Sequence, residues 1–245
     1  DEKDINGKVS LYATSEEGYK NLTKLSSLSY LKNKATTDPS CTLQDVLDNN
    51  HGLILVTGNY TNFFGKLFYK NKLKDFEQIL NILKKNFKDR LYIEIQRHSE
   101  YQEKNFENHL LNISKSLQLP LIATQEVFYL NEEMYEAHDA LICIGEKNFV
   151  DDKNRFRYSN QHYFKPQADL EKLYSDIPEA LENNYNFHLR FNFKPKKSKP
   201  ILPSIASKKS FSPEEELSNF AKSGLENRLN NFILKKNKIK SKEQI

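Results

Sequence analysis

The sequence predicts an α/β protein whose strands alternate with helices, so that the strands pair in parallel and the helices pack outside them in a sheet or barrel. Three observations predict it. Short apolar runs of strand length stand at residues 52–57, 91–96 and 120–124. Stretches of helical apolar period separate them. The composition is an ordinary globular one, 38% hydrophobic, 29% charged and 12% aromatic over 245 residues, enough chain for one large or two small domains.

Residues 8–13 alternate like a strand, and Thr14-Ser-Glu-Glu17 reads as a capping box that opens a helix carrying Tyr19, Leu22, Leu25 and Leu28. Residues 42–49 read as a short helix, 52–57 as a buried strand, 63–87 as one or two amphipathic helices and 91–96 as a strand. A helix over 103–117, a short strand at 120–124 and a helix over 132–144 follow. Beyond Gly145 the period loosens: 149–157 is a charged loop, and 166–173 and 178–191 are helical, the latter with Pro178 in its first turn. Residues 194–212 form a Lys/Pro/Ser-rich linker without apolar period. Ser212-Pro-Glu-Glu215 then caps a last helix with Leu217, Phe220, Ala221, Leu225 and Leu229 on one face, which needs a partner and so begins another domain. The expected organisation is a barrel part over 1–145, a helical connection over 146–193, the basic linker over 194–212 and the following region over 213–245.

Cys41 and Cys143 have no metal-ligand spacing around them and read as reduced thiols. No targeting signal is evident and no apolar run approaches the ~20 residues that span a bilayer, so a cytoplasmic protein without membrane contact is expected. Charge is unevenly placed. Up to residue 189 there are 23 Lys and Arg against 28 Asp and Glu; from Arg190 onward there are 14 against 5. A cationic tail suits nucleic-acid phosphates, and Lys194, Lys196, Lys197 and Lys199 are the candidate contacts. A Lys-rich solvated surface gives the same pattern.

In parallel α/β folds reacting groups gather where strands end at their C-terminal edge. Three such exits offer Asn59, His98 and Glu126. Imidazole and carboxylate can hold a divalent metal that activates water, but a catalytic zinc wants about three protein ligands. His138 and Asp139 sit about 100° apart on a helix, so they form no joint ligand pair. A structural role is expected, such as a buried hydrogen bond from His138. His51, His109, His162 and His188 are isolated and read as surface or capping residues. Neither a glycine-rich phosphate loop nor a nucleophile elbow appears, and no complete catalytic centre is legible.

Leu91-Tyr-Ile-Glu-Ile-Gln-Arg-His98, Leu119-Pro-Leu-Ile-Ala-Thr-Gln-Glu126 and Tyr135-Glu-Ala-His-Asp-Ala-Leu-Ile-Cys-Ile144 stand in a characteristic order and spacing. Together with Glu16-Glu-Gly-Tyr-Lys-Asn-Leu22, His51-Gly-Leu-Ile-Leu-Val-Thr-Gly58, Leu173-Tyr-Ser-Asp-Ile-Pro-Glu-Ala-Leu-Glu-Asn183 and Lys199-Pro-Ile-Leu-Pro203, they resemble the polymerase-and-histidinol-phosphatase (PHP) domain and following connection of bacterial DNA polymerase III catalytic alpha subunits, most like alphaproteobacterial ones. The resemblance implies part of a distorted TIM-like β/α barrel, its opening strands with their His-x-His ligands lying before Asp1. It also implies a helical segment toward the polymerase palm, and palm carboxylates binding Mg beyond Ile245. The expected function is that of a piece of a DNA-directed DNA polymerase (a nucleotidyltransferase of DNA replication), acting as scaffold and docking surface and not catalytic alone. DNA, deoxynucleotides, the proofreading exonuclease subunit and other holoenzyme subunits are the implied partners. At the PHP metal positions His98 is retained, Glu126 stands where Asp is common, Phe128 replaces His and Asn59 replaces Cys. A Phe cannot bind a metal, so a degenerate, metal-free centre is expected. The alternatives are a working metal-dependent PHP-type phosphoesterase and a free-standing nucleic-acid-binding module.

Overall fold

A computed structural model describes residues 5–32, 38–197, 199–200 and 212–233. The chain falls into two compact units, one up to Pro195 and one from Lys196 onward.

The first unit is built on four strands, β1 (Ser10–Ala13), β2 (Leu53–Val56), β3 (Leu91–Gln96) and β4 (Leu121–Thr124), hydrogen-bonded in the order β1-β2-β3-β4. β2, β3 and β4 are parallel, as expected; β1 is not, and runs antiparallel to β2 with Ala13 opposite Leu53. Among the described residues the sheet is therefore mixed and open; the all-parallel pairing expected of a partial barrel is not met at β1. Contacts of Thr14 and Gly18 with Gly52, far from them in sequence, accompany the reversal of β1. After α1 (Glu16–Leu31) and α2 (Leu43–Asp48) the chain returns to the end of β1 that it left, where Thr14 donates through both its backbone N–H (2.9 Å) and its hydroxyl (3.0 Å) to the Gly52 carbonyl. Gly18 makes this return possible: a Cβ on it would stand 1.9 Å from the Gly52 oxygen, and Gly52 itself has φ +67°. Two glycines thus permit the close return that the antiparallel pairing of β1 with β2 needs.

The cap of α1 also differs from expectation. Thr14 is occupied by Gly52, and the N-cap is Ser15, which accepts from the Gly18 N–H. A capping box that the pattern did not suggest lies at Thr42 and Asp45.

Residues 63–87 form two helices, α3 (Phe63–Tyr69) and α4 (Leu73–Phe87), parted at Asn71, whose φ is 55°. α4 buries Phe76, Leu80, Leu83 and Phe87, and α5 (Glu103–Leu117) buries Phe106, Leu110 and Ile113, both against the face of the sheet that shows Leu53, Leu55, Ile93 and Ile95. Each such side chain contributes about 1.5–3 kcal/mol on leaving water. The other face shows Ile54, Val56, Tyr92 and Ile122, with Phe187 and Phe191 packed on it. Burial on both faces explains the uninterrupted apolar runs.

α6 (Tyr135–Glu146), preceded by a 3-10 turn at Glu132–Met134, α7 (Gln167–Leu173) and α8 (Pro178–Phe187) complete the unit, the last ending in a 3-10 turn, His188–Arg190. The 146–193 segment packs into the first unit. Tyr174, fully buried, donates its hydroxyl to the Thr124 carbonyl at 3.1 Å. The outer edge of β4 is covered by amides of α8: Asn184 accepts from the Ala123 N–H at 3.0 Å and donates to the Ala123 carbonyl, and Asn183 donates to the Leu121 carbonyl at 2.7 Å. One side-chain amide thus replaces a neighbouring strand's residue on an edge that otherwise invites pairing.

In the second unit α9 (Pro213–Arg228) starts at the expected Ser212/Glu215 capping box, with Leu217, Phe220 and Leu225 exposed. Lys194, Lys196, Lys197 and Lys199 are all exposed. Of the linker, residues 198 and 201–211 lie outside the described residues, as does much of the Lys199 to Pro203 motif. Among the described residues no helix is long and apolar enough to cross a membrane.

The β4 edge gives a direct test. Asn184→Ala leaves the buried Ala123 amide and carbonyl without partners and is expected to lower the urea unfolding free energy by about 1–3 kcal/mol, whereas Asn186→Ala, at an exposed site, stays within about 0.5 kcal/mol.

Candidate functional site

The C-terminal ends of β2, β3 and β4 lie side by side, so their exits converge. Gly58, at φ +87°, turns the chain after β2 and presents Asn59; Ser99, at φ 63°, turns it after Arg97 and His98; Gln125 and Glu126 follow β4. Asn59, His98 and Glu126, the three expected residues, line one cavity of about 400 Å³ together with Tyr60, Glu100 and His162.

His98 is only 1% exposed and is held at both ring nitrogens. The Glu126 N–H donates to Nε2 at 3.1 Å, which leaves the proton on Nδ1, 3.0 Å from Glu103 Oε1. Glu103 is buried and saturated: its Oε2 also accepts the His98 backbone N–H at 2.7 Å and the Glu100 N–H at 3.1 Å. Three donors on one carboxylate compensate its burial. Asn59 is equally committed, its amide donating to Gln96 Oε1 at 2.9 Å and its oxygen accepting from the Thr61 N–H and hydroxyl at 3.0 and 2.8 Å. Gln96 carries the network on to Glu94 (2.8 Å) and Thr124 (2.9 Å).

Phe128 contributes a stack. It lies on His138 at 5.2 Å between centroids and on His162 at 5.0 Å, nearly parallel to both, and His162 stacks in turn on His98 at 4.1 Å and 2°. His162 is therefore no surface residue: it is 2% exposed, and its Nδ1 donates to the Glu126 carbonyl at 3.0 Å. Burial, with His98 adding, pushes it down to about 4. His109 was likewise expected at the surface, but it packs against Phe68 and Phe76 with its Nε2 closed off from water. The buried hydrogen bond expected from His138 belongs instead to its neighbour. Asp139, 1% exposed, pairs with Arg155 (Nη1 to Oδ1 2.5 Å) and Arg157 (3.1 Å), and the Arg155 guanidinium holds its carboxyl below the usual range.

Beside His98, Arg97 grips Glu107 (2.6 and 2.9 Å), Asp176 (2.6 and 2.8 Å) and the Leu173 carbonyl (2.6 Å), tying β3 to α5 and to the turn before α8. The cavity at the strand exits gathers three carboxylates, Glu100, Glu103 and Glu126. Burial, reinforced by Glu100, Glu103 and Glu126, pushes the Tyr60 hydroxyl up to about 12, and burial raises the Glu126 carboxyl against the opposing influence of His98.

A PHP-type metal does not fit these donors as they are placed. The His98 Nε2 lone pair is taken by a backbone N–H, Asn59 is spent on Gln96 and Thr61, and position 128 offers a ring. Among the described residues no three or more His, Cys, Asp or Glu side chains are grouped to hold a metal ion. Sequence reasoning missed Glu103 and His162. The first stood five residues after His98 as a helix-opening carboxylate, a readable spacing; the second comes from a distant loop.

Residues 1–98 match the family model of the PHP domain. The chain is 35% identical over 91% of its length to a DNA polymerase III subunit alpha of Caulobacter vibrioides, 33% over 93% to that of Rickettsia bellii and 28% over 97% to that of Vibrio cholerae. It spans about a fifth of the length of these curated relatives: 20%, 19% and 20%.

The depressed His162 gives a pH prediction with a definite sign. Between pH 6.5 and about 4 the unfolded chain binds a proton that the folded one does not, so stability is lost as pH falls through that window. His162→Phe, which keeps the stack, is expected to reduce the stability lost between pH 7 and 5 by about 2 kcal/mol; chemical denaturation at the two pH values measures it.

Proposed function

From a PHP domain in a chain related to bacterial DNA polymerase III alpha subunits, we propose that these residues serve as the PHP region of such a subunit, their former metal pocket turned into a structural lock. The observation that carries this reading is the His98 ring, whose two nitrogens are both spent inside the protein. A ligand histidine must offer a lone pair, and this one offers none without breaking the bond that places Glu126. Phe128 and Asn59, at positions where the family has His and Cys, support the same conclusion.

The surrounding sheet is read as part of a PHP-type barrel, with residues 146–193 as the connection toward the palm and 213–245 as the start of the next region. DNA synthesis from deoxynucleotides on Mg-binding carboxylates is assigned to the rest of the subunit, in the cytoplasm. The exposed Lys194, Lys196, Lys197 and Lys199 face DNA in this reading, and the first unit docks the proofreading exonuclease and other holoenzyme subunits.

The phosphoesterase alternative makes the opposite demand on His98. In the intact protein, His98→Ala is expected to leave zinc and manganese content and phosphodiester hydrolysis as they are in the parent, while lowering stability by about 2–4 kcal/mol through a cavity and the loss of the ring's bonds to Glu103 Oε1 and the Glu126 N–H. Stoichiometric metal that disappears with this substitution, and hydrolysis with it, would refute the structural role.

A further inference from the structure

The lining of the cavity at the strand exits includes three acceptors, Glu100, Glu126 and His162 Nε2. His162 lines it, and since its Nδ1 gives its proton to the Glu126 carbonyl, Nε2 is a bare lone pair that no hydrogen bond satisfies. That lone pair stands 3.7 Å from Glu100 Oε1, which itself accepts from the Ser159 N–H at 2.8 Å. Acceptor against acceptor is repulsive, and a buried polar atom without a partner costs about 1–3 kcal/mol. The Glu126 carboxyl, on the same wall, takes no hydrogen bond among the described residues. Glu103, by contrast, is saturated by its three donors. The two lining lysines make no hydrogen bond to this wall among the described residues: Lys66 is tied to the Asn6 carbonyl at 3.0 Å, and Lys8, whose charge favours the ionised Glu126 carboxyl, is exposed.

We propose that this recess takes a cation carrying N–H donors, a protonated primary amine or a guanidinium, whose hydrogens are shared among Glu126, Glu100 and His162 Nε2. N–H donors bond at about 2.7–3.2 Å and tolerate acceptors spread over a wall. A metal needs them gathered at about 2.0–2.3 Å, and among the described residues no such group exists. A volume of about 400 Å³ accommodates an alkylammonium or guanidinium head with its stem. Glu100 screens Nε2; its Oε1 accepts from the Ser159 N–H at 2.8 Å and its side chain is 23% exposed, so admitting the head requires that bond to be exchanged for one from the ligand. The ligand is either a free polyamine or a Lys or Arg side chain of another protein; both present the same head.

Isothermal titration of the intact protein with n-butylammonium, agmatine and tetramethylammonium decides it. Butylammonium and agmatine are expected to bind, and tetramethylammonium, of equal charge but without N–H, at least about tenfold more weakly. Glu126→Gln, at a carboxyl with no internal partner, is expected to weaken agmatine about tenfold with an unchanged unfolding transition, and Glu136→Gln, on the exposed face of α6, to change nothing. Equal binding of tetramethylammonium, indifference to Glu126→Gln, or no binding of either amine would overturn the proposal. Tighter binding of spermidine than of N-acetyl-lysine amide would assign the free polyamine as source, and the reverse order a partner's side chain; both support the site.

Discussion

The Glu103 carboxylate beside His98 is the contact on which the strand-exit region depends. It fixes the imidazole tautomer, caps the turn at Ser99 and Glu100, and belongs to the first turn of α5. Its orientation of His98 places Nε2 to receive the Glu126 N–H, so a single carboxylate joins the exits of β3 and β4. His162 and Phe128 then stack on the held ring, and Arg97, one residue earlier, anchors the same strand end to α5 and to the 173–176 turn. Charge-assisted bonds of this kind are worth about 1.5–3 kcal/mol each, and they act as a network, so removing Glu103 would loosen several elements at once.

Much of the fold was legible because burial writes itself into apolar periodicity. β2, β3 and β4 are short apolar runs, and α4 and α5 repeat every three or four residues, so their positions follow from pattern alone. The direction of β1 was not legible. It rests on the approach of Gly18 to Gly52, a contact 34 residues apart that no local period encodes. The Thr14 cap failed for a related reason, since a long-range carbonyl captured its hydroxyl. The covered β4 edge shows the same limit: Asn183 and Asn184 look like ordinary polar residues of a surface helix until the strand beside them is seen.

The exits were legible as places but not as chemistry. That Asn59, His98 and Glu126 share a cavity follows from their standing after three neighbouring strands. What each does depended on partners brought from elsewhere: Thr61 and Gln96 for Asn59, Glu103 for His98, and the 158–163 loop for the stack. Isolated histidines are the weakest sequence signals, and His162 and His109 show why. A neutral imidazole is apolar enough to bury against aromatic rings, and nothing in its sequence neighbours marks which ones will be buried.

The central claim is that His98 is structural, and the state of its ring reports on it most directly. Nitrogen-15 NMR of histidine-labelled protein, with and without added zinc, reads the tautomer and any ligation at Nε2. The account predicts the Nδ1–H tautomer at neutral pH, with no change in either ring-nitrogen shift at one equivalent of zinc. A zinc-dependent shift of the His98 Nε2 resonance to the metal-bound range would contradict it.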